Sequence, residues 1–201
     1  MSVSLKKGQK VDLRKSSGES LNNITVGLGW DPMIPPKKGG FLGIFAPRPE
    51  DFDCDASVFV CTNGKVECND DVVFFNNLVH SSKAIRHMGD NLTGNGEGDD
   101  EQVKVTLSKV PASYDKIVFV VTIYKATERK QHFGMLKNAF IRIVDDDTHT
   151  EMCRYDLADN YDGMKSMIFA EVYRHDGGWK FNAIGQGTDD TSLPSLLKHY
   201  Q

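Results

Sequence analysis

The stretch Lys116 to Tyr124, with Ile-Val-Phe-Val-Val-Thr-Ile at its centre, most constrains what this chain can fold into. β-branched and aromatic residues fill it without a charged interruption, the pattern of a strand buried on both faces. It is far shorter than the roughly 18 apolar residues that a membrane span needs, and no other run approaches that length. A central strand demands neighbours, and candidates are present on both sides of it. Asn23 to Trp30 and Ala56 to Cys61 are rich in β-formers, and Gln102 to Leu107 alternates polar and apolar as a half-buried strand does. Asn63-Gly64 after Ala56–Cys61 is a strong hairpin signal, with Val72 to Phe75 as the return strand. Ala139–Val144 and Met152–Tyr155 flank the acidic turn Asp145-Asp146-Asp147-Thr148. Met167–Tyr173 and Trp179–Ile184 flank Arg174–Gly178. Each pair predicts a hairpin.

Helix is scarce. Leu193 to Tyr200 is the best candidate, with Ser192 as N-cap and Pro194 in the first turn, and a short turn is expected around Glu128–Phe133. Many short strands separated by turn residues imply an all-β protein, a sandwich or a barrel. Pro32 to Glu50 holds five of the seven prolines together with Gly39, Gly40 and Gly43, so it reads as a long Pro/Gly-rich loop at 32–50 rather than a strand or helix. Its apolar residues, among them Met33, Phe41 and Phe45, suit packing or a partner contact. Nothing in the pattern calls for a second domain, and 1–201 is read as one.

The formal net charge of −4 argues against a nucleic-acid surface. The opening Met1–Gly8 has no apolar core of a secretory signal, and a cytoplasmic location is expected. Cys54, Cys61, Cys68 and Cys153 form no C-x-x-C pair, and their spacing does not suit a shared zinc; free and mostly buried thiols are expected.

Two acidic groups carry the chemistry. In Asp51-Phe52-Asp53-Cys54-Asp55 the three aspartates can share one side of a strand while Phe52 and Cys54 point inward. The second group runs from Gly89 to Glu101, with five acids and no base, and with glycines and asparagines that let backbone carbonyls turn inward. Ca²⁺ takes carboxylate, amide and carbonyl oxygens, and this segment supplies all three. Asp90 to Glu101 has the length of an EF-hand loop, but Leu92 and Gly94 lack ligand oxygens and a strand follows, so that reading fails. A solvated acidic loop and a calcium loop of another kind both remain open on residue chemistry alone. His80 and His87, near Lys83 and Arg86, read as surface residues. Asp145–Asp147 reads as a turn, and Asp156, Asp159, Asn160 and Asp162 as a connecting loop. No G-x-S-x-G elbow or phosphate-cradling glycine motif accompanies these groups.

At these residues the chain resembles the TerD family of bacterial tellurium-resistance and stress-response proteins. The resemblance is carried by Val26-Gly27-Leu28-Gly29-Trp30-Asp31, Asp51–Ser57, Gly89–Gly94 with Gly98–Glu101, Ala139–Ile143, Arg154–Leu157, and Trp179–Phe181 with Ala183–Gly187. It runs from Ser2 nearly to the C-terminus, and the motifs come in order. The long stretch Met33–Glu50 departs from it and lengthens the path from Asp31 to Asp53.

The resemblance implies a β-sandwich of two mainly antiparallel sheets with short helices, one near the C-terminus. It also implies calcium, two ions being the expectation, with Asp31, Asp53, Asp55, Asp90, Asn91, Thr93, Asp99, Asp100 and Glu101 as candidate ligands. The family's operons also encode a membrane protein and cytosolic partners, which implies a place in a stress-response assembly. The expected function is a non-enzymatic calcium sensor or scaffold. One rival is a calcium-dependent adaptor for anionic membrane, using Lys6, Lys7, Lys10, Arg14 and Lys15. Others are a metal-dependent hydrolase, and direct chemistry on tellurite by the cysteines.

Overall fold

The computed structural model describes residues 2–15, 17–33, 52–89 and 98–201. Two left-handed residues, Asp176 (φ 48°) and Gly177 (φ 72°), turn β11 (Ser166–His175) directly into β12 (Gly178–Thr188). This two-residue turn has the twist that antiparallel strands favour. The acidic turn after Asp145 joins β9 (Leu136–Asp145) to β10 (Thr150–Asp156). Asp145, 1% exposed, accepts the Asp147 N–H (3.1 Å) and the Thr148 hydroxyl (2.8 Å), so the turn is closed by its own first aspartate.

The remaining strands are β1 (Val3–Leu5), β2 (Lys10–Asp12), β3 (Asn23–Pro32), β4 (Cys54–Cys61), β5 (Val72–Val73), β6 (Ile85–His87), β7 (Glu101–Thr106) and β8 (Lys116–Ile123). They form two six-stranded sheets, ordered β1-β10-β9-β3-β7-β6 (sheet A) and β2-β12-β11-β8-β4-β5 (sheet B). Pairing is antiparallel except between β1 and β10. The chain is therefore the expected β-sandwich.

Alternation along each strand decides what fills the core. Val26, Leu28 and Trp30 of β3, Val58 and Val60 of β4, Ile117, Phe119 and Val121 of β8, and Ile141 and Ile143 of β9 belong to one buried cluster. The alternate residues of sheet B, Phe59, Cys61, Val118, Val120 and Ile168, form a second cluster. α2 (Leu193–Leu197) covers it with Leu196, and Tyr200 lies 5.4 Å from Phe59, ring centre to ring centre. The Ser192 hydroxyl caps α2 by accepting the Ser195 N–H, and Pro194 stands in its first turn. β8 is apolar on both faces because one face meets sheet A and the other meets this covering segment.

Two expectations need correction, the immediate hairpin and the surface histidines. Asn63 (φ 52°) and Gly64 (φ 76°) do form a tight turn, bridged between Thr62 and Lys65. The chain does not return at once, however. Val66 donates to the Tyr200 carbonyl (2.7 Å) and joins the second cluster before β5 pairs with β4. The thiols are as expected: all four are free, and Cys54, Cys61 and Cys153 are buried while Cys68 is exposed. His80 and His87, read as surface residues, are each 1% exposed. The His80 ring meets Asp71 Oδ1 (3.2 Å) and the Ser82 hydroxyl (2.7 Å), and Tyr114 donates to the same Asp71 oxygen (2.7 Å). A buried histidine is tolerated where both ring nitrogens are satisfied, as here. The loop expected at 32–50 lies almost wholly outside the described residues; Pro32 ends β3.

Candidate functional site

Gly27 and Gly29 alternate with Val26, Leu28 and Trp30, so they face outward from sheet A. A Cβ on Gly27 would collide with the Asp99 carboxylate, and one on Gly29 would collide with the Phe140 ring. The two glycines thus make a trough across which Asp99 lies. Its carboxylate, 1% exposed, takes two bonds from Arg142 (Nε 2.7 Å, Nη2 3.1 Å) and one from Gln102 (3.0 Å). Such a forked pair is strong and directional. The hydrogen bonds from Arg142 to Asp99 raise the guanidinium above its usual value, with Glu151 adding to the effect against burial. Asp99 is therefore committed to Arg142.

Glu101 points the other way. It is 2% exposed and reaches from β7 in sheet A to the Ala56 N–H of β4 in sheet B (2.9 Å). The same oxygen meets His87 Nε2 (3.0 Å), and the Gly89 N–H donates to His87 Nδ1 (3.2 Å). That second bond makes Nδ1 the acceptor and Nε2–H the donor to Glu101. Asp100, between them, accepts the Trp30 N–H (2.7 Å), while its own N–H binds the Leu28 carbonyl (2.8 Å). Burial raises the Asp100 carboxyl above its ordinary value. The charges of Asp31 and Asp99 add to this, against the Trp30 N–H. Asp31 Oδ2 accepts from Asn138 (2.7 Å).

Cys54 marks where the second acidic group joins. Its thiol is pushed far up, first by burial and then by the charges of Asp55, Glu101, Asp53 and Asp100. Carboxylates from β4 and from the start of β7 therefore gather around one buried thiol, with Asp31 at the end of β3 beside Asp100. Asp53 also lies 3.8 Å from Arg129 of the short helix α1 (Ala126–Arg129). Among the described residues, no three His, Cys, Asp or Glu side chains stand close enough to hold a metal ion. Asp99 and Glu101 are drawn apart, to Arg142 and to sheet B. Of the expected ligands, Asp31, Asp53, Asp55 and Asp100 are described on this edge, where Asp31 accepts from Asn138, Asp53 faces Arg129 and Asp100 accepts from the Trp30 backbone. Asp90, Asn91 and Thr93 lie outside the described residues, as does Asp51.

Beside these carboxylates, a groove of about 410 Å³ runs over the outer face of sheet A, lined by Trp30, Asp31, Asp100, Phe140, Arg142 and Arg154 among others. Sequence reading missed Arg142, Arg154 and His87. Arg142 and Arg154 occupy outward positions of β9 and β10 and face each other across the strand pair, but nothing local signals their partners.

A family model of the TerD domain matches residues 1–200. The chain belongs to the TerD family. It is 48% identical over 201 residues to stress response protein SCP2 of Bacillus subtilis (strain 168), covering 100% of both chains. It is also 48% identical over 188 residues to tellurium resistance protein TerD of Serratia marcescens, covering 93% of this chain and 91% of that one. A solved homologue of the telluride resistance protein TerD from Streptomyces coelicolor A3(2) superposes with a TM-score of 0.62 at 19% identity, over 90% of this chain and 99% of the other. At that identity the likeness shows the fold alone. These TerD relatives are named for resistance or stress response, and the Gly27–Asp99–Arg142 trough is set into the same fold. No helix of the described residues is long and apolar enough to cross a membrane.

Proposed function

We propose that this TerD-family chain is a cytoplasmic, non-enzymatic calcium-binding stress-response protein that works as a sensor or scaffold within an assembly of other proteins. The observation that carries the reading is that Asp31 and Asp100 line one groove, while Asp53 and Asp55 flank the Cys54 thiol that Asp100 also influences. Asp100 in particular is half-buried, feels the charges of Asp31 and Asp99, and has its carboxyl raised. Like charges brought together at a desolvated edge ask for a cation, and an all-oxygen donor set suits a hard ion such as Ca²⁺. Asp31 and Asp100, with Asp53 and Asp55, are the proposed ligands; Asp90, Asn91 and Thr93 complete the set proposed from the sequence. Asp99 and Glu101 are assigned instead to positioning, through Arg142 and His87. Bound calcium would neutralise the edge and bias a partner-binding surface.

The membrane-adaptor reading gains less support. Lys7 is paired with Asp159 (2.7 Å), Lys15 with Asp147 (3.5 Å), and Lys10 lies over the Tyr173 ring. Calorimetric titration of the metal-free protein with Ca²⁺, in excess Mg²⁺, tests the proposal. Saturable binding that Asp31→Asn/Asp100→Asn loses is expected; no heat from the unaltered chain, or binding that survives in the double variant, would sink it.

A further inference from the structure

Three side chains on the edge where β5 passes to β6 stand in the order carboxylate, imidazole, hydroxyl, and the calcium reading uses none of them. Leu78–His80 pair with β6 through the His80 N–H to the Ile85 carbonyl (3.1 Å) and the His87 N–H to the Leu78 carbonyl (2.8 Å), and a turn at 81–84 joins the two segments. Asp71, 2% exposed, is the carboxylate. His80, 1% exposed, sets Nε2 3.2 Å from Asp71 Oδ1 and Nδ1 2.7 Å from the Ser82 hydroxyl oxygen. The neighbours decide the tautomer. The Ser82 N–H donates to Nδ1 (3.2 Å), and the Asp71 carboxylate, which can only accept, faces Nε2. Nδ1 therefore carries the lone pair, and the Ser82 O–H donates to it. Tyr114 fixes the array from the far side. Its O–H donates to Asp71 Oδ1 (2.7 Å), and its ring stands edge-on to the imidazole, centres 5.2 Å apart. Against burial, the bonds from Tyr114, His80 and Cys68 hold the Asp71 carboxyl below its ordinary value.

A hydroxyl bonded to a neutral imidazole whose far N–H rests on a carboxylate is the arrangement that activates a serine as a nucleophile. Access suits that role. The carboxylate and the imidazole are sealed from water, whereas Ser82 is half-buried in a turn whose neighbours Ser81 and Lys83 are exposed. Lys83 and Arg86 are exposed and have no ion pair among the described residues, so an electrophile with an anionic leaving group meets a cationic surround. We infer that Ser82 is a covalent acyl-acceptor site, acylated by acyl phosphates, with His80 as general base and Asp71 as the positioning residue. In this step the bond from Ser82 Oγ to the acyl carbon forms, and the bond from that carbon to the phosphate oxygen breaks. Phosphate leaves with the electron pair, and the Ser82 proton passes to His80 Nδ1 and then to solvent. The local backbone takes the chemistry no further. The N–H groups of Ser82, Lys83 and Ala84 bond His80 Nδ1, the His80 carbonyl (2.8 Å) and the Ser82 hydroxyl oxygen (3.2 Å), which leaves none of the three to stabilise an oxyanion. One acylation per chain is therefore expected rather than turnover, in keeping with a non-enzymatic protein. The ester removes the proton that His80 Nδ1 accepts, and so loosens the turn that joins Leu78–His80 to β6.

The test is incubation of the full chain with acetyl phosphate, followed by peptide mass mapping before and after neutral hydroxylamine. Hydroxylamine cleaves an acetyl ester but not an acetyl-lysine amide, so acetylation of surface lysines is an internal standard. A hydroxylamine-labile acetyl group is expected at Ser82, with none at the exposed neighbour Ser81 and none in chain unfolded in urea. Ser82→Ala should lose it and keep the lysine acetylation. His80→Gln should lower the Ser82 ester about a hundredfold against the lysine standard, the usual worth of a positioned base. Asp71→Asn should lower it too, and should move the far-downfield His80 Nε2–H resonance that a bond to a carboxylate gives in the proton NMR spectrum. Acetyl groups on lysines alone would overturn the inference, as would a Ser82 ester that forms equally in urea or in His80→Gln. The comparison with urea needs no variant, so the inference stays open to refutation where a substitution prevents folding. An unmoved resonance in Asp71→Asn would overturn the role given to Asp71. No arm of the test contains calcium, so failure here leaves the calcium reading standing.

Discussion

Gly27 has no room for a methyl group, because the Asp99 carboxylate lies where a Cβ would stand. Gly27→Ala should therefore push Asp99 off Arg142 and destabilise the protein by about 1–3 kcal/mol, the usual cost of overpacking a closed site. Thermal melting checks it, and an unchanged midpoint would mean that Asp99 can move aside. Asp100 gives a prediction of opposite sign. Its carboxyl is raised in the folded protein, so its stabilising contribution is complete only below the ordinary value of 3.8 and is lost as pH rises through the folded value. At neutral pH the ionised group is a net cost. Asp100→Asn keeps an acceptor for the Trp30 N–H, so it should raise the melting temperature of calcium-free protein at pH 7 while weakening calcium binding; a fall in melting temperature would count against the repulsion invoked here. Asp71 behaves in the reverse way. Burial alone would raise it, but bonds from Tyr114, His80 and Cys68 outweigh burial and hold it below 3.8. Its contribution is present above 3.8 and is lost as pH falls through the lower folded value. Acid denaturation profiles of Asp71→Asn should therefore be shallower below pH 3.8 than those of the parent. None of these three environments was legible in the sequence. Asp71 reads as one acid in a run, and its partners Tyr114 and His80 come from other segments. A histidine flanked by Lys83 and Arg86 carries no local mark of burial.

Elements were far easier to read than environments, and the physical reason is periodicity. β7 and β12 bury alternate residues, β9 and β11 do so over their later halves, and Asp176-Gly177 supplies the positive φ angles that a tight hairpin needs. All of that is local. The same pattern in Lys116–Ile123 identified a strand covered twice, without saying by what. The cover is α2 and the turn after it, which Ser192 and Pro194 announce as a helix but whose destination only the fold reveals. Where a local signal met a tertiary demand, the demand prevailed: Asn63-Gly64 makes its turn, yet Val66 is drawn to Tyr200 before β5 pairs. Leu196 is 0% exposed at the centre of that contact. Leu196→Ala should cost about 2–5 kcal/mol, as large-to-small changes in a packed site do. Because the cover lies on the outer face of sheet B, away from the acidic edge, the loss should appear as a lower midpoint in urea with calcium affinity at that edge unchanged.

At the scale of the whole molecule, the acidic edge is both a proposed binding site and a joint between the sheets. Three successive residues divide this work. Asp99 lies over the outer face of sheet A, Asp100 turns to the Trp30 backbone, and Glu101 crosses the sandwich to Ala56 and His87. The sequence marks all three as equivalent calcium ligands, since a run of acids gives no hint that its members diverge. Asp99 and Glu101 are two apart and would share a face on a regular strand; they diverge because β7 begins only at Glu101 and Asp99 belongs to the irregular stretch before it. The two roles separate experimentally. Glu101→Ala leaves the Ala56 N–H buried without its acceptor and takes one of two acceptors from His87 Nε2–H, which keeps the Ala56 carbonyl (3.1 Å), so unfolding in urea should show a loss of about 1–3 kcal/mol, the cost of leaving a buried donor unpaired. Asp31→Asn should lose calcium affinity with little change in the stability of the calcium-free protein, because an amide oxygen can still accept from Asn138. Were Glu101→Ala to keep its stability and lose calcium instead, the division would be wrong, and Glu101 would have to be counted among the ligands.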